Sequence, residues 1–407
     1  MKLLLLTCLL GAASLSSATT LFVASYAGTV ASLSLTENGG SYSLNQTFVS
    51  NDCAPNPSWL TLDANRGLLF CLNEGLETVN GSLSSFKVNR DGSLVHVQNT
   101  TTISGPVSGV IYGAPAGGRA IALAHYTGSA LSSWHLNGGG NFSSNQNIVF
   151  ALKQTGPVAD RQEAPHEHEA ILDPTGRYLL VPDLGADLVR VFSYDDALML
   201  QELNPLQAEP GDGPRHAAFY NPYGVACEGC TTFLYVVNEL GSTVKGYAVT
   251  YEANGGGLSF EQVYNSSTYG YLSTPEGNAP SEIQVSPDNR FLIVGNRNDS
   301  SVTVPNLDPT NSTQIQSDTI STFALNQDGS LNFVQLAPAY GSFPRQFSTN
   351  AVGNLLAVGL QQSSEVVILR RDITTGLIGQ PIASISIEGQ ITCVLFNEEH
   401  ALGTLGG

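Results

Sequence analysis

The chain is predicted to be all-β, a single propeller of seven four-stranded antiparallel blades. Three observations predict it. An apolar run closing on a turn or polar residue returns seven times: LFVASY (21–26), LLFCLNE (68–74), AIALAHY (120–126), YLLVPDLG (178–185), FLYVVNE (233–239), FLIVGNR (291–297) and LLAVGLQ (355–361). The starts lie 47 to 64 residues apart, close to the period of a propeller blade. Turn chemistry followed by a short strand recurs in the same phase, at Asn38-Gly39-Gly40, Asp91-Gly92, Gly138-Gly139-Gly140, Asp195-Asp196, Gly255-Gly256-Gly257, Asp328-Gly329 and Thr375-Gly376. Such sequences supply the positive φ that tight hairpins need. Finally, no stretch combines a helical period with end caps.

Taken in order, the chain opens on Lys2, the apolar run 3–10 and the small residues Ser16-Ser17-Ala18, the pattern of a secretory signal peptide over 1–18. Residues 19–407 form the single propeller domain, with no transmembrane anchor. Within each blade, strand A leads through a turn such as Asp173-Pro174-Thr175-Gly176 or Ser286-Pro287-Asp288-Asn289 into strand B, the apolar marker. An alternating strand C follows, for example LVRVFSY (188–194) or VKGYAVTY (244–251), then the Gly-rich turn and strand D. The last segment, ITCVLFNEE (391–399), reads as a strand A without partners of its own. The N-terminal segment 21–35 is expected to supply them, closing the ring and removing exposed strand edges.

Composition sets the class of partner. With 34 acidic against 16 basic side chains the net charge is −18, which excludes nucleic acid and anionic membranes as general partners. Sequons at Asn45, Asn80, Asn99, Asn141, Asn265, Asn298 and Asn311 fit a secreted, extracellular or cell-wall glycoprotein. Cys227 and Cys230 are expected to form a local disulfide, because a zinc site would need two further ligands that no second C-x-x-C provides. Cys393, inside ITCVLF, is expected to be a buried free thiol. The pairing of Cys53 and Cys71 is left open.

Strands A and B are antiparallel and joined at the bottom of the blade, so the start of A and the end of B share the top face. Strand A is innermost, and its first residues line the channel mouth. Those positions hold Pro57-Ser58, His166-Glu167-His168-Glu169, Pro214-Arg215-His216, Ser281-Glu282 and Pro344-Arg345. The ends of B add Asn73-Glu74, His125, Asp183, Asn238-Glu239, Asn296-Arg297 and Gln361. Only 12% of the chain is charged, so arginines, histidines and glutamates gathered at one mouth point to a small anionic ligand. A glutamate or histidine beside arginines can move a proton. His166-x-His168 on a strand would place both imidazoles on one face, a possible metal pair, but no third ligand is fixed by spacing and no metal or other cofactor is expected.

Five segments make the chain similar to a known group: APHEHEAILDPTGRYLLVPDLGADLVRVFSYD (164–195), GDGPRHAAFYNP (211–222), LYVVNELGSTVKGY (234–247), PSEIQVSPDNRFLIVGNRNDS (280–300) and FPRQFSTNAVGNLLAVGLQQS (343–363). It resembles the seven-bladed lactonase family, which includes bacterial-type 6-phosphogluconolactonase and fungal 3-carboxy-cis,cis-muconate lactonizing enzyme (carboxymuconate cyclase). The resemblance implies that His168, Arg215, Glu239 and Arg297 surround the substrate. On this reading Arg215 and Arg297 hold its carboxylates, and His168 and Glu239 transfer the proton or orient the group that does. His166, Asn238, Glu282 and Arg345 are expected nearby. Gln284, where relatives often carry a basic residue, and the insertion 223–232 depart from the family pattern.

Two functions follow. One is an enzyme that hydrolyses or reversibly closes the lactone of a small anionic polycarboxylate such as a carboxymuconate. The other is a non-catalytic surface glycoprotein, binding a cell-wall or surface partner, with the lactonase site idle. Asn298 bears on the choice, because a glycan directly after Arg297 would lie on the face of the mouth.

Overall fold

The computed structural model describes residues 18–398 apart from 115–116 and 225–228. Residues 1–17, which hold most of the expected signal peptide, and Cys227 lie outside the described residues. Blade 1 is closed by both ends of the chain: Ile391–Phe396 is its inner strand and pairs antiparallel with Ala18–Ser25, followed outward by Thr29–Asn38 and Ser41–Ser50. Blade 2 runs Pro57–Asp63, Leu68–Asn73, Ser82–Val88, Leu94–Thr101, and blade 3 runs Pro106–Gly113, Arg119–His125, Ala130–Leu136, Phe142–Val149. Blade 4 is Ile171–Leu172, Tyr178–Asp183, Leu188–Tyr194, with a broken outer strand, Leu200–Glu202 and Leu206–Gln207. Blade 5 is Pro214–Tyr220, Thr232–Asn238, Thr243–Tyr251, Leu258–Ser267. Blade 6 is Ala279–Val285, Phe291–Arg297, Thr319–Leu325, Leu331–Pro338, and blade 7 is Pro344–Thr349, Leu355–Leu360, Glu365–Arg371, Ile378–Ser386.

The apolar second strands explain why the ring holds. Successive side chains of a strand face opposite ways. Leu21 and Val23 pack against blade 7, whereas Phe22 and Ala24 pack against blade 2. Leu234 and Val236 meet blade 4, and Phe233, Tyr235 and Val237 meet blade 6. The core is thus seven apolar clusters, each shared by two neighbouring blades. A strand buried on both faces needs a continuous apolar run, which is the marker seen in the sequence.

Two elements depart from the sequence reading. A hairpin, Val302–Pro305 with Gln314–Ser317, is inserted between the second and third strands of blade 6, which accounts for the longest repeat interval. In blade 4, His166-x-His168 does not lie in a strand. The inner strand is only Ile171–Leu172, preceded by an isolated bridge between Glu167 and Asp183. The Asp183 carboxylate accepts the His166 N–H at 2.8 Å, so a side chain takes over a bond that a ladder carbonyl would have made.

Cys230 is disulfide-bonded. Cys53 and Cys71 form a disulfide 18 residues apart, and Cys393 is a buried free thiol in the same apolar cluster. Closing a loop of the Cys53–Cys71 length constrains the unfolded chain by about 3 kcal/mol. Urea unfolding of a Cys53→Ser/Cys71→Ser variant should therefore show a stability loss of about 2–4 kcal/mol, and an unchanged midpoint would contradict it.

Candidate active site at the channel mouth

One backbone contact builds the mouth. In five blades the residue ending the apolar marker donates its N–H to the carbonyl just before the inner strand: Tyr26 to Gln390 at 2.9 Å, Glu74 to Asn56 at 2.9 Å, Tyr126 to Gly105 at 2.7 Å, Glu239 to Gly213 at 2.9 Å and Gln361 to Phe343 at 2.8 Å. Both ends are thereby tied to one face. The inner strands of blades 2, 3, 5 and 7 then begin with a register shift, between Pro57 and Trp59, Pro106 and Ser108, Pro214 and His216, and Pro344 and Gln346. Proline fits the first position because it has no N–H to give the ladder. The extra residue, Ser58, Val107, Arg215 or Arg345, sits at a β-bulge, a device that re-aims a side chain.

Glu239 is the hub. Arg161 Nη2 donates to its Oε1 at 2.6 Å, and Arg297 Nη2 lies 2.6 Å from its Oε2. Arg215 Nε is 2.9 Å from the same Oε2 but is not aligned for a hydrogen bond, and Arg215 Nη1 has no hydrogen-bond partner. Burial would raise the Glu239 carboxyl, but Arg297, Arg215 and Arg161 together hold it far below the usual carboxylate range. Burial, then Arg297, push Arg215 down to about 9, so it stays charged at neutral pH. Arg297 is further braced by Ala279 O at 2.9 Å and stacks over Phe343. A fourth guanidinium, Arg345, donates to Tyr26 Oη at 2.8 Å and lies 3.7 Å from Glu74, to which Tyr26 also donates. Four cations face two carboxylates.

The histidines sit beside this cluster. His168 Nδ1 is 3.2 Å from His216 Nε2. Burial, then Arg215, Arg345 and Arg297, hold His168 well below the ordinary imidazole range; burial and Arg215 do the same to His216. Both rings are therefore neutral at neutral pH. Below them Glu169 and Glu282 lie on either side of His216, at 3.7 and 3.5 Å from its Nδ1. Burial pushes Glu282 up to about 8, and burial with Glu282 pushes Glu169 up as well.

The structure thus brings His168, Arg215, Glu239, Arg297, Arg345 and Glu282 together. His166 is at the edge, stacked on Tyr126, with its nitrogens engaged by Tyr126 O at 2.8 Å and Glu163 at 3.1 Å. Asn238 turns away, donating to Thr243 of its own blade at 3.0 Å, as Asn73 and Asn296 do at the same register with Ser82 and Thr319. The sequence places His216 at the mouth without giving it a role, and does not single out Arg161 or Tyr26. Tyr26 occupies the same register as Glu74 and Glu239, a signal available in the repeat itself. Arg161 lies in the irregular segment before blade 4, which no repeat pattern covers. All seven sequon asparagines are exposed, and Asn298 stands on the rim with its side-chain amide on Gly277 O at 3.1 Å. Two grooves, of about 590 and 460 Å³, lie elsewhere; the first is on the opposite face, lined by Asp63, Arg66 and Arg119.

A family model described as "Lactonase, 7-bladed beta-propeller" matches residues 18–396. The chain is 26% identical over 358 residues to a "Probable 6-phosphogluconolactonase" of Arthroderma benhamiae, covering 88% of this chain and 83% of that protein. It is 27% identical over 356 residues to the 6-phosphogluconolactonase of Formosa agariphila, covering 86% and 91%. Among solved structures, the periplasmic gluconolactonase of Pseudomonas aeruginosa shares the fold with a TM-score of 0.73 at 24% identity, over 93% of this chain and 99% of that one.

Proposed function

Because this chain belongs to the lactonase family of seven-bladed β-propellers, we propose that it opens the lactone ring of a small anionic substrate at the channel mouth. The observation that carries the reading is the charge imbalance around Glu239. Four guanidiniums face two carboxylates, and the buried Arg215 Nη1 donates to nothing. A carboxylate or phosphate on the substrate would satisfy both. Charge-assisted hydrogen bonds of that kind are the strong ones.

His168 and Glu239 divide the chemistry. Glu239, held ionised by three arginines, is too weak a base to deprotonate water at a useful rate. Its role is to hold Arg161, Arg215 and Arg297 at fixed spacing. His168 is neutral, and its Nε2 makes no hydrogen bond among the described residues. With its Nδ1 proton donated to His216, it has a lone pair on Nε2 for the attacking water. Arg215 and Arg297 would stabilise the negative charge that develops on the carbonyl oxygen. The curated relatives support phosphorylated sugar lactones; cyclisation of a carboxymuconate would use the same cations. Secretion belongs to the same reading, with the exposed sequons as its support.

The test is acid release from a panel of lactones by the purified protein. Opening of a phosphorylated or carboxylated lactone is expected. Failure to open any member would favour the glycoprotein with an idle site. Arg161 gives a second check. Its side chain is 37% exposed, so it forms the solvent side of the cluster. Solvent screening reduces the worth of such a charge. Arg161→Ala should raise KM for the anionic lactone about two- to five-fold, with kcat within about two-fold. An unchanged KM would remove Arg161 from the site.

A further inference from the structure

We propose that Glu169, His216 and Glu282 form a binding site for a first-row divalent cation in the channel beneath the mouth. The three residues occupy equivalent positions: His216 and Glu282 on the inner strands of blades 5 and 6, and Glu169 just before the short inner strand of blade 4. The equivalent positions in the other blades hold Gln346, Cys393, Trp59 and Ser108, none of them an anion. One ligand atom from each residue lies within 4.8 Å of the other two. The measured edges, 3.5 and 3.7 Å from His216 Nδ1, are close to the ~3.4 Å edge of a tetrahedral site with ~2.1 Å bonds.

Each residue uses one atom to fix its own position and leaves a second aimed at the common point. Glu169 Oε2 accepts the Ala217 N–H at 2.7 Å, which joins blade 4 to blade 5 and leaves Oε1. Glu282 Oε1 accepts the Ile283 N–H at 3.2 Å, and its Oε2 has no hydrogen-bond partner. His216 Nε2 is engaged by His168, and its Nδ1 has no hydrogen-bond partner. The Trp59 ring meets the imidazole edge-on and fixes its plane. All three side chains are more than nine-tenths buried. Two carboxylates and an imidazole, with positions left open for water, suit zinc or manganese.

Occupancy would reach the mouth through one bond. A cation on Nδ1 leaves the His216 proton on Nε2, donated to His168 Nδ1. His168 Nε2 would then carry its proton and act as a donor rather than a base. The cation is thus a switch on the tautomer of His168.

Calorimetric titration of the chelator-stripped protein with zinc, and separately manganese, needs no lactone, so it stands apart from the lactonase reading. One ion per chain is expected. Glu282→Gln should weaken binding at least ten-fold. Arg161→Ala, which contacts Tyr126 and Glu239 but none of the three ligands, should keep the affinity within about three-fold, and far-UV circular dichroism checks that both variants are folded. Absence of binding up to millimolar zinc and manganese would overturn the proposal. So would a folded Glu282→Gln variant that binds as wild type does.

Discussion

Glu239→Gln is expected to lower the unfolding free energy by about 3–5 kcal/mol, the cost of leaving a buried charge without its partner. Here three guanidiniums lose that partner together, two of them buried. The substituted amide would keep the shape and could still accept hydrogen bonds, but it would not offset the mutual repulsion of Arg215 and Arg297. The pH dependence has a definite sign. The folded carboxyl sits far below the ordinary glutamate value of about 4.3. Its stabilisation is therefore complete above about pH 4.3 and is lost as pH falls through the depressed folded value. Urea midpoints of wild type and variant should differ widely at pH 7 and converge in acid. Sulfate, binding the freed guanidiniums, should stabilise the variant more than the wild type. Equal midpoints at pH 7 would mean that Glu239 is not the hub.

His168→Asn is expected to reduce kcat by about 10²–10⁴, the range for losing a general base. Affinity for the anionic product should change little, because the arginines that bind it are untouched. The wild-type pH–rate profile should be flat through neutrality. Its acid limb should fall well below the ordinary imidazole value, since burial and the arginines keep His168 neutral. Stopped-time assays between pH 4 and 8 measure both. A kcat within about three-fold of wild type would move the base elsewhere.

Blade number, strand order and the closure of blade 1 by ITCVLF are legible in the sequence because strands buried on both faces leave a continuous apolar run. The Gly-rich turns mark the third-to-fourth strand hairpins for the same local reason. Arg215, Arg297 and Arg345 are legible because strand topology alone puts the start of one strand beside the end of the next. Arg161 is not, since it reaches Glu239 from an irregular segment 78 residues away. The broken inner strand of blade 4 is hidden because a side chain, Asp183, replaces the ladder bond. Asn238 misleads for the opposite reason: its position at the mouth is right, but its amide is committed to Thr243. The Glu169–His216–Glu282 cluster depends on three strands meeting in one register, which no single segment shows.

The most direct measurement is the ratio of kcat/KM for an anionic lactone to that for its neutral counterpart, in wild type and in Arg215→Ala. Hydrogen bonds to charged groups contribute roughly 1.5–3 kcal/mol, a preference of about 10- to 100-fold. The wild type should show that preference, and Arg215→Ala should lose most of it through the anionic substrate alone. A wild-type ratio near one, or a ratio that Arg215→Ala leaves unchanged, would contradict an anion site built around Glu239.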